Sequence, residues 1–299
     1  MTDLVLPAGY TARPVQTADV SALHALVQTC ERRLHGYAES DADEIRAVLG
    51  RPGLDPATDT VLVTAPDGTV AAWAWMNRRS DADVHPAHRG RGIGTGLLDW
   101  IEHRAGSAVI SQTAPDGDHA AAGLLRSHGW TPMVTSWQLA IAFDEPPVVD
   151  APGGITLRPF QPGDEQDAYL VLEDAFDEWQ QRRKSYEEWA MLTVGRDAFD
   201  PARSVVAADG GQLVGVLLAL DLPGIADGYI ERLAVRADHR GRGLAQALLR
   251  ACFAAYHAAG RRSCVVWTHS DTGALGVYER AGMTVRRSST VYRNAPAPS

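Results

Sequence analysis

His239-Arg240-Gly241-Arg242-Gly243-Leu244-Ala245 lies between two apolar segments of different period. Before it, Ile230-Glu231-Arg232-Leu233-Ala234-Val235 reads as a strand. After it, Gln246-Ala247-Leu248-Leu249-Arg250-Ala251-Cys252-Phe253 is apolar at helical spacing. The pattern is therefore strand, tight glycine turn, helix. Such a turn leaves the first helical amides unpaired, and the helix dipole adds partial positive charge there, which suits a phosphate or pyrophosphate. Gly241 and Gly243 let a ligand approach the backbone where a Cβ would obstruct it. A plain strand-to-helix turn has the same local sequence, so the hexapeptide alone does not establish a ligand.

The stretch occurs twice. His88-Arg89-Gly90-Arg91-Gly92-Ile93-Gly94 shares the five consecutive residues His-Arg-Gly-Arg-Gly with the later copy, and it too is followed by an apolar helix, Leu97-Leu98-Asp99-Trp100-Ile101. Neither copy is a Walker loop, because Gly-Lys-Ser/Thr is absent. Neither is a Rossmann fingerprint, because Thr95 and Gln246 stand where the third glycine is required.

The remainder of the chain repeats in the same way. Thr11-Ala12-Arg13-Pro14-Val15 opens a strand, Thr17 or Asp19 caps a helix to about Leu34, and a second helix runs from about Asp41 to Leu49. A hairpin joins residues 60–64 to 70–75 through Asp67-Gly68. A short strand near Asp83-Val84 leads to the glycine turn. Val109-Ile110 predicts a strand, residues 118–128 a helix, and Val134 to Phe143 a strand. Residues 144–154 form a linker rich in proline and glycine. The plan then restarts with Leu157-Arg158-Pro159, helices over 164–179 and 185–194, a hairpin at 205–219, and a strand over Gly228 to Val235. After the second glycine turn come a helix to about Ala259, a strand at Cys264-Val265-Val266-Trp267, a helix over 271–281 and a closing strand near Val291. The tail from Asn294 is expected to fray. This is an internal duplication of a mixed-sheet α/β unit. It predicts a first domain over 1–143 and a second over 155–299.

Composition bounds the function. At 299 residues there is room for two domains of ordinary size, and 45% apolar residues support packed cores. A net charge of −9 argues against nucleic acid as a partner. No run approaches a membrane span and no signal-peptide pattern is present, so a cytoplasmic protein with no membrane partner is expected. Cys30, Cys252 and Cys264 have neither metal-like nor disulfide-like spacing and read as buried thiols. His85-x-x-His88 lies in a turn and is not read as a metal pair, so no metal is expected. Oligomeric state is not legible.

Each half resembles the GNAT superfamily of acyl-CoA-dependent N-acyltransferases, whose signature is Arg/Gln-x-x-Gly-x-Gly/Ala. Here it reads Arg89-x-x-Gly92-x-Gly94 and Arg240-x-x-Gly243-x-Ala245. The second half adds Asp271-x-x-Ala274-x-x-x-Tyr278-Glu279-x-x-Gly282-Met283, although the family more often has Asn at the first of these positions and Phe at the last. The tandem layout is similar to that of the mycothiol synthases. That likeness is architectural and does not identify an acceptor. The resemblance implies acetyl-CoA as acyl donor. Its pyrophosphate would lie at Arg240, Gly241, Arg242, Gly243, Leu244 and Ala245, its pantetheine arm along Leu233, Ala234 and Val235, and Asp271 would also contact it. In the first half, Val84, Arg89, Gly90, Arg91, Gly92, Ile93 and Gly94 are the matching contacts, and that half either binds CoA or serves as a scaffold.

Acyl transfer to an amine requires a neutral amine, a polarised carbonyl and a protonated leaving thiolate. Glu231 is the candidate base. Tyr278 is the candidate acid, as the matching tyrosine often is in this family. A backbone amide near Ala234 or Val235 is placed to polarise the carbonyl. The competing readings are a surface ion pair for Glu231 and a core tyrosine for Tyr278. Aligning the halves sets Ser80 opposite Glu231 and Leu125 opposite Tyr278, so the first half is expected to be catalytically silent. Asp81 and Asp83 read as solvated turn carboxylates. Trp73, Trp75, Trp179, Trp189 and Trp267 either line an acceptor pocket or pack a core, and Glu178, Glu187 and Glu188 either favour a cationic amine or form a charged helix face. The expected function is transfer of acetyl to a small-molecule primary amine by the second half. The alternatives are a peptide or protein amine as acceptor, or an acyl-CoA-binding sensor or scaffold without turnover.

Overall fold

The computed structural model describes residues 4–38, 40–177, 182–222 and 226–294. It divides into two compact units. One comprises Met1–Thr135 with Ser289–Ser299, the other Ser136–Ser288.

Unit 1 runs β1 (Thr11–Arg13), α1 (Val20–His35), α2 (Ala42–Leu49), α3 (Pro56–Asp59), β2 (Thr60–Thr64), β3 (Val70–Met76), β4 (Arg79–Val84), α4 (Ile93–Ala105), β5 (Ser111–Pro115) and α5 (His119–Ser127), and enters β6 (Thr131–Ala142). Neighbouring strands from β1 to β4 pair antiparallel. β4 then pairs parallel with β5 over only Arg79 and Ser80. Unit 2 continues from β6 into β7 (Ile155–Pro159), α6 (Glu165–Phe176), α7 (Tyr186–Leu192), β8 (Val205–Asp209), β9 (Gln212–Leu220), β10 (Gly228–Val235), α8 (Leu244–Ala258), β11 (Ser263–His269), α9 (Leu275–Arg280) and β12 (Thr284–Arg293). Strands β7 to β10 pair antiparallel, and β10 pairs parallel with β11 over Gly228 to Ile230. Both units are mixed α/β structures, as the repeat predicts.

The chain crosses between the units inside two strands. Residues 136–142 of β6 pair antiparallel with all of β11 in unit 2. Residues 289–293 of β12 pair antiparallel with all of β5 in unit 1. Leu139, fully buried in the unit 2 core, and Tyr292, 1% exposed in the unit 1 core, anchor these strands. The proline- and glycine-rich segment 144–154 lies within unit 2.

Sequence and local structure agree at the helices. The apolar spacing of α8 buries Leu244, Ala247, Leu248, Leu249, Cys252, Phe253 and Tyr256 on one face against the sheet. The echoed Arg-Pro openings have a common purpose that the sequence does not spell out. Arg13 donates to both oxygens of Asp19 at 2.7 Å, and Arg158 donates to both oxygens of Asp164 at 2.6 and 2.7 Å. Each aspartate also accepts a backbone amide, from Gln16 or Gln161, at 2.8 Å. The arginine bonds, first among the causes, hold both carboxyls below their ordinary range. Each fork ties the entry of the first helix of a unit to its edge strand.

Two expected elements are displaced. The strand placed at Val109-Ile110 begins instead at Ser111, because the Ile110 amide is taken by the Asn294 side chain at 2.8 Å. The helix expected over 271–281 is confined to Leu275–Arg280, because Gly273, at φ 61°, ends a short 3-10 turn over Ser270–Thr272 first. The expected fraying tail from 295 onward lies outside the described residues.

Candidate functional site

In unit 2, β10 and β11 start paired and then part. Beyond Ile230, β10 remains hydrogen-bonded only to β9, where Arg232 faces Leu218 and Val235 faces Gly215. Among Leu233, Ala234 and Val235, the amides and carbonyls that point away from β9, other than the Val235 carbonyl taken by Arg240, are thus available to an extended ligand. A register shift between Ile230 and Arg232 marks a bulge at Glu231.

Past β10 the chain makes the glycine turn. Gly241 and Gly243 have φ of 77° and 82°, and Gly243 caps α8. These are left-handed values that side-chain-bearing residues rarely adopt. The Arg240 Nε donates to the Val235 carbonyl at 3.2 Å and closes the turn onto the strand. The first backward helical bond runs from Ala247 to Gly243, so the amides before it are free for an anion.

The parted strands and the turn enclose one cavity of about 870 Å³, within the range of small-ligand sites. Leu233, Ala234, Val235, Arg240, Gly241, Gly243, Leu244 and Ala245 line it, together with Glu231 and Tyr278. Arg242 and Asp271 are not among the lining residues. Arg242 lies 3.8 Å from Asp209, and Asp271 accepts from the Ser270 hydroxyl at 3.2 Å. Phe176, which opens the stretch to Trp189 where the family resemblance puts the acceptor site, also lines the cavity, as do Arg232 and His269, which sequence reasoning did not offer as site residues. They come from three separate elements, and no spacing in the sequence joins them.

Glu231 is held through Oε1 by Arg196 at 2.7 Å, while its Oε2 is buried and, among the described residues, without a partner. One oxygen is therefore fixed and the other is free to accept. Tyr278 is 6% exposed, and burial pushes its phenol up to about 12. It keeps its proton throughout the neutral range. Tyr229, next to the bulge, is raised above the ordinary tyrosine value, first by burial and then by the Glu231 charge.

Unit 1 repeats the turn. Gly90 and Gly92 have φ of 73° and 88°, and the Arg89 Nε donates to the Val84 carbonyl at the same 3.2 Å. The surroundings differ. Arg89 pairs with Asp118 at 2.9 Å, and Arg91 donates to the Tyr10 hydroxyl at 3.1 Å. Strand β4 pairs with β3 in unbroken register, so it has no bulge. The Trp130 amide donates to the Leu125 carbonyl at 3.0 Å, just as Met283 donates to Tyr278 at 3.1 Å. This matched bond makes Leu125 the structural counterpart of Tyr278. Asp81 and Asp83, expected in a solvated turn, instead sit half-buried on β4 opposite Trp75 and Trp73, and Asp83 accepts from Trp73 Nε1 at 2.9 Å. Burial raises both carboxyls above the usual range.

The other candidates divide cleanly. Trp73, Trp75 and Trp189 are buried in cores, while Trp267 is 36% exposed and lines the cavity. Trp179 and Glu178 lie outside the described residues. Glu188 pairs with Arg182 at 2.7 Å on an exposed helix face. His88 bonds the Tyr10 hydroxyl at 2.9 Å through Nδ1, and the three cysteines are free and buried. Among the described residues, Asp99, Glu102 and His128 of unit 1 are close enough together to share a cation. They already form a bonded network, with Glu102 accepting from Trp130 Nε1 at 2.6 Å. No helix among the described residues is long and apolar enough to cross a membrane.

Comparison with known proteins places this geometry. A family model described as the acetyltransferase (GNAT) family matches residues 22–130 and again 167–283. The mycothiol acetyltransferase of Pseudarthrobacter chlorophenolicus is 26% identical over 93% of this chain and 95% of its own length. That of Thermobispora bispora is 31% identical over 70% of this chain and 74% of its own. The crystal structure of a GCN5-related N-acetyltransferase from Sphaerobacter thermophilus superposes with a TM-score of 0.76 at 31% identity, covering 99% of this chain and 98% of that one.

Proposed function

The chain belongs to the acetyltransferase (GNAT) family and is an acetyl-CoA-dependent N-acetyltransferase, and we propose that unit 2 carries out the transfer, to a primary amine of a small molecule, with Glu231 as base and Tyr278 as acid. The observation that supports this reading is the single cavity lined at once by the glycine turn, by Glu231 and by Tyr278. The free amides of α8 would hold the donor's diphosphate, and the open edge of β10 would pair its amide-containing arm. Acetyl-CoA supplies the activated thioester. The free Oε2 of Glu231 attracts the ammonium of the acceptor and removes its proton, directly or through water. The neutral amine attacks the carbonyl, which a β10 amide polarises. The Tyr278 hydroxyl then protonates the departing thiolate. Relatives that bear the name mycothiol acetyltransferase support a small-molecule acceptor. In unit 1 Leu125 takes the place of Tyr278, and the strand registers set Ser80 opposite Ile230 instead of Glu231, which as the bulge residue has no counterpart on β4. We read unit 1 as catalytically silent.

The test uses acetyl-CoA titration calorimetry and turnover in parallel on the intact chain and on Gly92→Trp and Gly243→Trp variants. Gly243→Trp blocks the unit 2 turn and forces a side chain to φ 82°, so loss of one binding site and of all turnover is expected. Gly92→Trp is expected to keep turnover. Turnover that survives Gly243→Trp and vanishes with Gly92→Trp would transfer the activity to unit 1.

Tyr278→Phe removes the acid while keeping the ring that fills the core. A fall in kcat of roughly 10²-fold is expected, with the acidic limb of the pH profile unmoved, because Tyr278 does not titrate there. Unchanged kcat at every pH would return Tyr278 to a packing role.

A further inference from the structure

We propose that the acceptor is an amino carboxylate whose amine is read by Glu231 and whose carboxylate is read by Arg232. This rests on the reading of the cavity as the acyl-transfer site. Regular alternation along β10 would point two consecutive side chains to opposite faces of the sheet. The bulge at Glu231 cancels that alternation, and both side chains line the same cavity.

The two charges are not each other's partners. Glu231 is engaged by Arg196 at 2.7 Å. Among the described residues, no carboxylate or carbonyl pairs with the Arg232 guanidinium. It lies over the ring of Phe176 at 5.6 Å, and its Nε is buried and unbonded. His269 Nδ1, in the same cavity, is likewise buried and unbonded. A half-buried guanidinium that meets no anion among the described residues, with its Nε buried and unbonded, is placed to take a negative group of the acceptor. The donor's diphosphate is not that group, because its place is the glycine turn, where the α8 amides and Arg240 lie. Arg232 stands on the strand beside the proposed base, where the acceptor must come. A carboxylate matches the planar guanidinium fork with two parallel bonds. Glu231 and Arg232 are consecutive on β10 and line one cavity, so the acceptor class to test first is a short amino acid, α or β.

The experiment measures acetyl-CoA-dependent thiol release with a library of amines built as matched sets, namely α- and β-amino acids, their carboxamides and the decarboxylated amines. The free acids are expected to exceed their carboxamides in kcat/KM by about 100-fold, carried mainly by KM, because a neutral carboxamide cannot replace the charged, two-pronged pairing with the guanidinium. Arg232→Gln is expected to collapse that ratio toward one, and Arg232→Lys, which retains charge but not the fork, to restore part of it. Acetyl-CoA titration of each variant shows that it is folded. Equal use of acids and carboxamides by the wild type, or a ratio unchanged in Arg232→Gln, overturns the inference and leaves the acetyltransferase reading intact. Turnover of no member counts against the proposed small-molecule acceptor, and the inference falls with it.

Discussion

Replacing Glu231 by glutamine is expected to lower kcat/KM by about 10²–10⁴-fold, the usual contribution of a positioned acid–base group. The substitution is nearly isosteric. The Arg196 guanidinium, which now meets Oε1 at 2.7 Å, can still donate to the amide oxygen, so the site keeps its shape. What disappears is the proton-accepting power of the free, buried Oε2. Two signatures separate loss of a base from general damage. Acetyl-CoA affinity should be retained, because the glycine turn and the β10 edge are untouched. The deficit should also shrink as pH rises toward the pKa of the acceptor, near 10 for a simple alkylamine, since more amine then arrives already neutral. A variant that turns over as fast as the wild type at all pH values would place the base elsewhere.

Cutting the chain at its compositional linker is expected to unfold the fragment that is kept. A fragment over residues 144–299 lacks residues 136–142, every one of which pairs with β11. The loss exposes the full length of β11 as a bare edge and removes fully buried Leu139 from the core. The leucine by itself, as a truncation to alanine, corresponds to about 2–5 kcal/mol, a large share of the roughly 5–15 kcal/mol that holds a domain together. The missing ladder and its neighbours add to that. A fragment over residues 136–288, which spans unit 2 as the contacts define it, should instead melt cooperatively. Thermal unfolding followed by circular dichroism on both fragments decides the matter. A cooperative transition in 144–299 would show that the strand from the first half is dispensable.

The glycine turns were legible because the chemistry there is local. Positive φ, a helix start and the arginine that closes the turn all lie within a dozen residues, and the structure reproduces them in both copies to within a few degrees of φ. The repeat, the hairpins and the helix stripes were legible for the same reason, since each rests on periodicity within one element. The match of Leu125 to Tyr278 followed from aligning the copies, and a shared backbone bond upholds that match. The linker was legible as composition, but the place where the compact units divide was not. Proline and glycine report local chain stiffness, whereas strand pairing between residues more than a hundred positions apart leaves no local mark.

By itself, the sequence determined the duplication, the fold of each half and the family, because these are written in short-range patterns read one element at a time. Only the tertiary structure decided what Glu231 and Arg232 face. A one-residue bulge, set by how β10 registers on β9, turned two consecutive charges into the same cavity, and Arg196 from a distant segment claimed one of them. Tertiary packing also decided that Phe176 and His269 would join them. Register and packing are properties of paired elements, so no stretch of β10 read alone could have fixed which of its side chains meet a ligand.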